Sequence, residues 1–109
     1  MLKRSAEKGL FVDLESMIEF AEDAIVSKTL VKESDKELSF FCMSAGQSLS
    51  SHTSSFPAVI HILRGKGKVT LERQSYEGKP NTWFYLPANL SHAVEAVEDL
   101  VFLLTLFKK

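Results

Sequence analysis

The hydrophobic pattern changes period once along the chain, near residue 24. Before that point Leu14, Met17, Ile18 and Ala21 recur at helical spacing, while Glu15, Glu19, Glu22 and Asp23 take the other faces. Asp13 stands where an N-cap carboxylate accepts the free N–H groups of a first turn. The spacing therefore predicts a short N-terminal helix packed on a sheet. Beyond it the apolar residues come in short β-branched or aromatic runs: residues 25–31, 38–43, 58–64, 68–73, 83–86, 93–97 and 100–107, with a weaker run at 74–77. Charged residues 32–37, Gly65-Lys66-Gly67, residues 78–81 and Glu98-Asp99 separate them. The two glycines at 65 and 67 read as a hairpin between the flanking runs. Ser44, Ser48, Ser50, Ser51, Ser54 and Ser55 read as a loop leading into a strand. Short strands at regular spacing indicate an all-β sandwich or barrel.

Two runs are apolar on both faces. Ala58, Ile60 and Ile62 alternate with Val59, His61 and Leu63, and Val101 and Leu103 alternate with Phe102, Leu104 and Leu106. A simple sandwich needs one apolar face per strand. The second face calls for cover from the helix or from another chain, so the pattern predicts a homodimer that buries an outer sheet face.

Composition narrows the function classes. The chain has 109 residues, a length suited to a single domain (1–109) with its core over about 24–108 and an N-terminal segment at 1–23. Thirteen basic residues stand against fourteen acidic ones, without the basic excess that binds nucleic acid. The longest aliphatic or aromatic run, residues 100–104, is far short of a membrane span. Lys3, Arg4, Glu7 and Lys8 precede no apolar region of the kind a secretory signal carries. With one cysteine, Cys42, an internal disulfide or multi-cysteine metal site is excluded, and a cytoplasmic location is expected. Cys42 sits among Phe40, Phe41 and Met43 and reads as an inert small hydrophobe.

The histidines carry the most information. Gly46 stands six residues before His52 and Gly65 thirteen after it; Pro87 precedes His92 by five, with Asn89 between them. This arrangement resembles the cupin family, over roughly residues 10–108. Gly46, His52 and Gly65 fall in register with the family's first motif, and Pro87 and His92 with its second. Asn81 and Asn89 replace two motif glycines, and asparagine also visits left-handed backbone. Ala96 replaces the motif's final asparagine. The resemblance implies a double-stranded β-helix, the jelly-roll cupin barrel, in agreement with the strand pattern.

It also implies a metal site, which this chain keeps only in part. His52 and His92 occupy two of the family's four ligand positions. Ser54 stands at the second histidine, and Ala58 (or Val59 in the longer spacing) at the glutamate. Two neutral imidazoles are able to bind a divalent transition metal such as zinc, nickel, iron or manganese, but a catalytic metal usually keeps three protein ligands. Glu72 or Glu77 folding back is the candidate third donor; strand alternation turns Glu95 away from the face of His92. His61 falls on the opposite face from Ala58 and reads as a core or interface residue. Ser54, Ala58, Trp83 and Tyr85 are the candidate ligand-lining residues. The favoured reading is a small-molecule-binding barrel whose cavity holds a divalent metal through two histidines. The alternative is a metal-dependent enzyme of dioxygenase or isomerase type, or metal-free acid–base chemistry pairing His52 or His92 with Tyr76 or Tyr85. A purely structural protein with a vestigial pocket is the third.

Overall fold

The computed structural model describes residues 9–108; the charged stretch with Lys3, Arg4, Glu7 and Lys8 lies outside them. Among the described residues nine strands follow a 3-10 turn: β1 Ile25–Lys32, β2 Lys36–Met43, β3 Ser48–His52, β4 Ala58–Arg64, β5 Gly67–Leu71, β6 Gln74–Gly78, β7 Trp83–Leu86, β8 His92–Ala96 and β9 Leu100–Phe107. They form two antiparallel sheets, one ordered β1-β2-β9-β4-β7 and the other β3-β8-β5-β6. This is the jelly roll that the strand pattern and the resemblance implied. Among the described residues no helix is long and apolar enough to cross a membrane.

The expected N-terminal helix is a 3-10 turn at Leu14–Met17, and Asp13 makes no side-chain cap. The reason is that the sheet supplies competing partners. Lys28 Nζ donates to the carbonyl of Met17 at 3.0 Å and pairs with Glu19, while Arg64 pairs with Glu15. Ile18 is already extended, with φ −63° and ψ 126°. Residues Val12, Leu14, Met17, Ile18 and Phe20 therefore drape across the outer face of the larger sheet, against Leu30, Phe40, Cys42 and Val101. That is the intramolecular cover demanded by one of the two-faced strands. Cys42 is buried and free there, as its neighbours suggested.

Three other expectations shift. The middle of the serine-rich stretch is itself a strand, with Ser44, Ser54 and Ser55 outside it: Ser48 pairs with Glu95, Leu49 with Val94 and His52 with His92. A two-residue turn at Glu72-Arg73, with Glu72 at φ 55°, divides what read as one run through residue 73, and Leu71 pairs with Gln74 across it. Finally, Gly65-Lys66-Gly67 is no hairpin, because β4 and β5 belong to different sheets. It is a corner that crosses beside a second corner: the amides of Val97 and Glu98 both donate to the carbonyl of Lys66, at 2.9 and 3.0 Å. A Cβ on Gly65, at φ +87°, would lie 1.9 Å from the carbonyl oxygen of Asp99. The glycine is required by the adjacent backbone at Asp99 as well as by its positive φ.

The inner faces of both sheets form one core, including Met43, Ile60, Ile62, Val69, Phe84, Leu86, Val94, Leu100 and Phe102. Phe41 stacks on Phe102 with ring centroids 4.9 Å apart. At the β1–β2 turn, hydrogen bonds to Asp35 and then Glu33 hold the Lys36 ammonium above the usual lysine range.

Candidate functional site

Strand register places His52 and His92 side by side at the end of the barrel away from the crossing corners. β8 runs from His92, opposite Leu71, to Ala96, opposite Gly67 in the corner. β3 ends on His52, the partner of His92. The imidazole centroids are 4.3 Å apart, with the rings tilted by 61° edge to face. His92 is buried at 8% exposure and His52 is exposed.

Both rings are oriented in the same way. His52 Nδ1 lies 2.8 Å from the carbonyl of Ser50, and His92 Nδ1 lies 2.9 Å from that of Leu90. A carbonyl only accepts, so each Nδ1 carries the proton and donates. In the neutral rings both lone pairs are then on Nε2, the form in which a histidine ligates a metal or accepts a ligand's proton. Leu49, Leu71, Leu90, Leu104 and Leu106 are only partly buried where they pack against the core. By register, Leu71 lies opposite His92, and Leu106 lies opposite Ala58. A polar pair thus sits among apolar side chains that their own fold does not fully cover.

The loop ahead of His92 is held by a clasp. The amide of Glu72 donates to the Ser91 carbonyl at 2.8 Å, and the amide of Ser91 donates to Glu72 Oε2 at 2.8 Å. Sequence reasoning named Glu72 as a third metal donor; its carboxylate is instead committed to this backbone N–H. Glu77 pairs across the strands with Lys68 and sits 3.9 Å from Lys66. Glu95 faces outward toward Lys68, as alternation required. Among the described residues no group of three His, Cys, Asp or Glu is placed to hold a metal. The donor set therefore fits a two-nitrogen anchor but not the four-ligand centre of the cupin resemblance, nor a catalytic site with three protein ligands.

The other candidate residues divide. Ala58 lies on the inner face at 3% exposure, flanked by Leu86 and Leu106 on the adjacent strands. Ser54 lies beyond the end of β3; its Oγ accepts from the Phe56 amide at 3.1 Å, and its carbonyl accepts from Asn89 at 2.7 Å. Trp83 and Tyr85 do not line the barrel. On β7 they point outward, at 60% and 49% exposure, while Phe84 and Leu86 point in. The run Trp-Phe-Tyr-Leu has no hydrophobic contrast by which to choose its inner face, so alternation alone left the choice open. Tyr85 is thereby removed from any acid–base pairing with the histidines, and Tyr76 rests near the ring of Phe84, with centroids 6.3 Å apart. His61 shares the outer face with Trp83, its register partner. Asn81 and Asn89 take positive φ, 71° and 67°, as glycine substitutes should. The Glu72–Ser91 clasp was missed because it depends on a turn inside a run that reads as continuous strand.

A search among curated proteins finds no match. Solved structures match well. A conserved protein of unknown function from Streptococcus pyogenes is 29% identical, with TM-score 0.84, over 92% of this chain and 88% of that one. A cupin superfamily protein from Desulfitobacterium hafniense shares the fold at 23% identity and TM-score 0.85, over 90% of each chain. A cupin 2 conserved barrel domain protein from Leptotrichia buccalis is 33% identical, with TM-score 0.81, over 86% of this chain and 46% of that one. The model of the AraC-like ligand-binding domain matches residues 37–107, from β2 through β9 and across both histidines. With that match spanning most of the barrel, the chain belongs to the AraC-like ligand-binding domain family, in a cupin-type jelly roll.

Proposed function

We propose that this chain is a small-molecule-binding cupin module, one domain over 1–109, whose ligand sits at the open end of the barrel. His52 and His92 supply its polar contacts, and Ser54 and Ala58 stand at its wall. The observation that carries the reading is the pair of imidazoles 4.3 Å apart, both with Nδ1–H turned back to a backbone carbonyl, set among partly buried leucines. Such a combination of apolar lining and a few convergent polar atoms is what a small-molecule site needs. Membership in a ligand-binding domain family supports it. Two Nε2 lone pairs also form a two-donor anchor for a divalent cation of the zinc, nickel, iron or manganese type, with water or ligand completing its shell. That donor count falls short of the three protein ligands a catalytic metal usually keeps, and binding is the proposed role.

The chain is further proposed to be a homodimer, since two strands are apolar on both faces, and to work in the cytoplasm, where the free thiol of Cys42 is stable. The deciding experiment is calorimetric titration of tag-free protein with Zn²⁺ and Ni²⁺, alongside His52→Ala and His92→Ala, followed by a thermal-shift screen of small metabolites. Each single variant is expected to lose the cation heat, and a specific ligand at one hundred times its Kd stabilises by about 2.7 kcal/mol. Equal cation binding in both variants and a screen without a stabilising compound would overturn the proposal.

A further inference from the structure

Two polar side chains are buried among the described residues, His92 at 8% exposure and Ser39 at 9%. His92 has a role above; Ser39 has none. Its chain neighbours Leu38 and Phe40 pack in the outer cluster under the N-terminal segment, so alternation turns Ser39 inward, on the face of Phe41. Its strand partners agree: Leu104 and, beyond it, Ile60 and Phe84 belong to the inner core. The Ser39 hydroxyl makes no hydrogen bond to the described residues. No fully sealed polar side-chain atom among them lacks a partner, so this hydroxyl still touches space that a small group can enter. Its inward neighbours Thr29, Phe41 and Leu104 are likewise only partly buried. A hydroxyl inside a core is ordinarily paired, because an unpaired one costs free energy.

We propose that Ser39 is a ligand contact on the wall facing the histidines, and that the site takes a small uncharged molecule with a hydrogen-bonding group at each end of an apolar middle. The proposal rests on the small-molecule reading above and adds its ligand class and second pole. Strand order supplies the geometry. Tyr76 of β6 meets Phe84 of β7, with centroids 6.3 Å apart, which sets those two edges together. Counted from that seam, β8 and β3 are third and fourth in one sheet, and β9 and β2 are third and fourth in the other. The histidine strands therefore lie over the strands of Leu104 and Ser39, at the roughly 10 Å spacing of packed sheets. Ser39 is two residues deeper than Glu37, the partner of Leu106, and so roughly 7 Å further into the barrel. Charge then sets the ligand class. Glu37 is already paired with Lys108 at 3.4 Å. The row through Ser39, from Thr29 to Phe84, and the row on the other sheet, from Leu49 to Tyr76, hold no charged side chain. A charged group at that depth would be desolvated without a partner, whereas a hydroxyl or amide would bond to Ser39.

The test uses 1,6-hexanediol as the probe, with hexanoate and hexylammonium as charged six-carbon counterparts, and follows amide shifts of the full-length protein by ¹H–¹⁵N NMR. The diol is expected to move the amides of both His92 and Ser39, and each ion to bind about tenfold more weakly. Ser39→Ala removes a hydroxyl that nothing in the chain pairs, so it is expected to melt no lower than wild type and to bind the diol about fivefold more weakly. Ser39→Cys is expected to react with methyl methanethiosulfonate in the folded state, while Cys42, buried on the outer side of the same strand, does not. A new thiol that reacts no faster than Cys42 overturns the proposal. So does a Ser39→Ala protein that melts lower, which marks the hydroxyl as structural, or one that binds the diol as wild type does. Equal binding of either ion overturns the ligand class. A diol that moves the amide of His92 but not that of Ser39 keeps the small-molecule site and overturns its second pole. Probes that move neither amide overturn both readings.

Discussion

The two ends of the barrel are built from the same strands and behave differently. At the corner end Met43, Ile62, Val69 and Leu100 are at 0% exposure, and Gly67 and Gly78 leave no space for a Cβ without contact. At the other end Leu71, Leu90 and Leu106 are only partly buried, and Leu71 lies opposite His92 and Leu106 opposite Ala58. The difference comes from how the chain leaves each end. At the closed end it crosses between sheets through two short corners pressed together at Lys66, Val97 and Glu98. At the open end it leaves β3 and β7 through the longer loops 53–57 and 87–91, which meet at the Asn89–Ser54 hydrogen bond. Short crossings compress the core beneath them and loops do not, so stability concentrates at one end and a site becomes possible at the other.

The largest expected effect breaks the closed end at its backbone. Gly65→Ala forces a Cβ onto the Asp99 carbonyl while also demanding positive φ. It is expected to cost about 4 kcal/mol or more, or to prevent folding, as read by urea unfolding. Gly46→Ala is the control: its φ is +91° but nothing lies within 4 Å of the new Cβ, so about 1 kcal/mol is expected. Equal losses at the two glycines would show that positive φ, and not the crossing, sets the cost.

Next in size is the core itself. Leu100→Ala, at 0% exposure, is expected to cost about 3 kcal/mol, and Leu71→Ala, partly buried opposite His92, about 1 kcal/mol. The expected asymmetry reverses for binding: Leu71→Ala should weaken a ligand or cation at the histidines, while Leu100→Ala leaves the affinity of the folded fraction unchanged. Calorimetry on both variants checks the reversal.

Which parts of this contrast were legible in the sequence follows from the range of the signals. The resemblance to the cupin motifs implied that His52 and His92 converge, and the register of β3 on β8 brings them together. Asn81 and Asn89 identified their left-handed turns because few other residues tolerate them. By contrast, Leu14, Met17, Ile18 and Ala21 satisfy helical spacing, but the partners that hold the segment against the sheet, Lys28 on β1 and Arg64 on β4, lie outside the window that spacing reads. Glycines at 65 and 67 advertise a sharp bend without saying whether it returns to the same sheet. At the site, the carboxylates were visible and their commitments were not: Glu72 is spent on the amide of Ser91, a contact nineteen residues away. Local patterns show which residues bend or pair; the sheet assignment and long-range hydrogen bonds decide what they do.

Smaller effects test the open end itself. His92→Ala removes a buried ring and its bond to the Leu90 carbonyl and is expected to cost about 1 kcal/mol. His52→Ala, at an exposed position, should leave urea unfolding within about 0.5 kcal/mol of wild type. Both are nevertheless expected to abolish the titration heat of Zn²⁺. Stability and binding then separate at one pair of residues, as expected where the structure is loose and the site is placed.

The smallest expected effect concerns the clasp. Ser91 donates its amide to the Glu72 carboxylate while accepting from the Glu72 amide, so the loop ahead of His92 is pinned at both ends of one peptide contact. Glu72→Ala removes the side-chain acceptor, and because the contact is exposed, water replaces it at a cost of about 0.5 kcal/mol in global unfolding. Hydrogen exchange should register far more: the Ser91 amide is expected to exchange faster by an order of magnitude or more, while amides of β9 keep wild-type rates. Glu72→Gln retains an acceptor oxygen and should restore most of the protection. If Glu72→Ala instead speeds exchange along β9 and β4, the open end is part of the same cooperative unit as the closed end, and the contrast between them fails. If the change stays within residues 87–92, the histidine that faces the ligand is held by a local device that can yield without disturbing the barrel, which is the property a binding end requires.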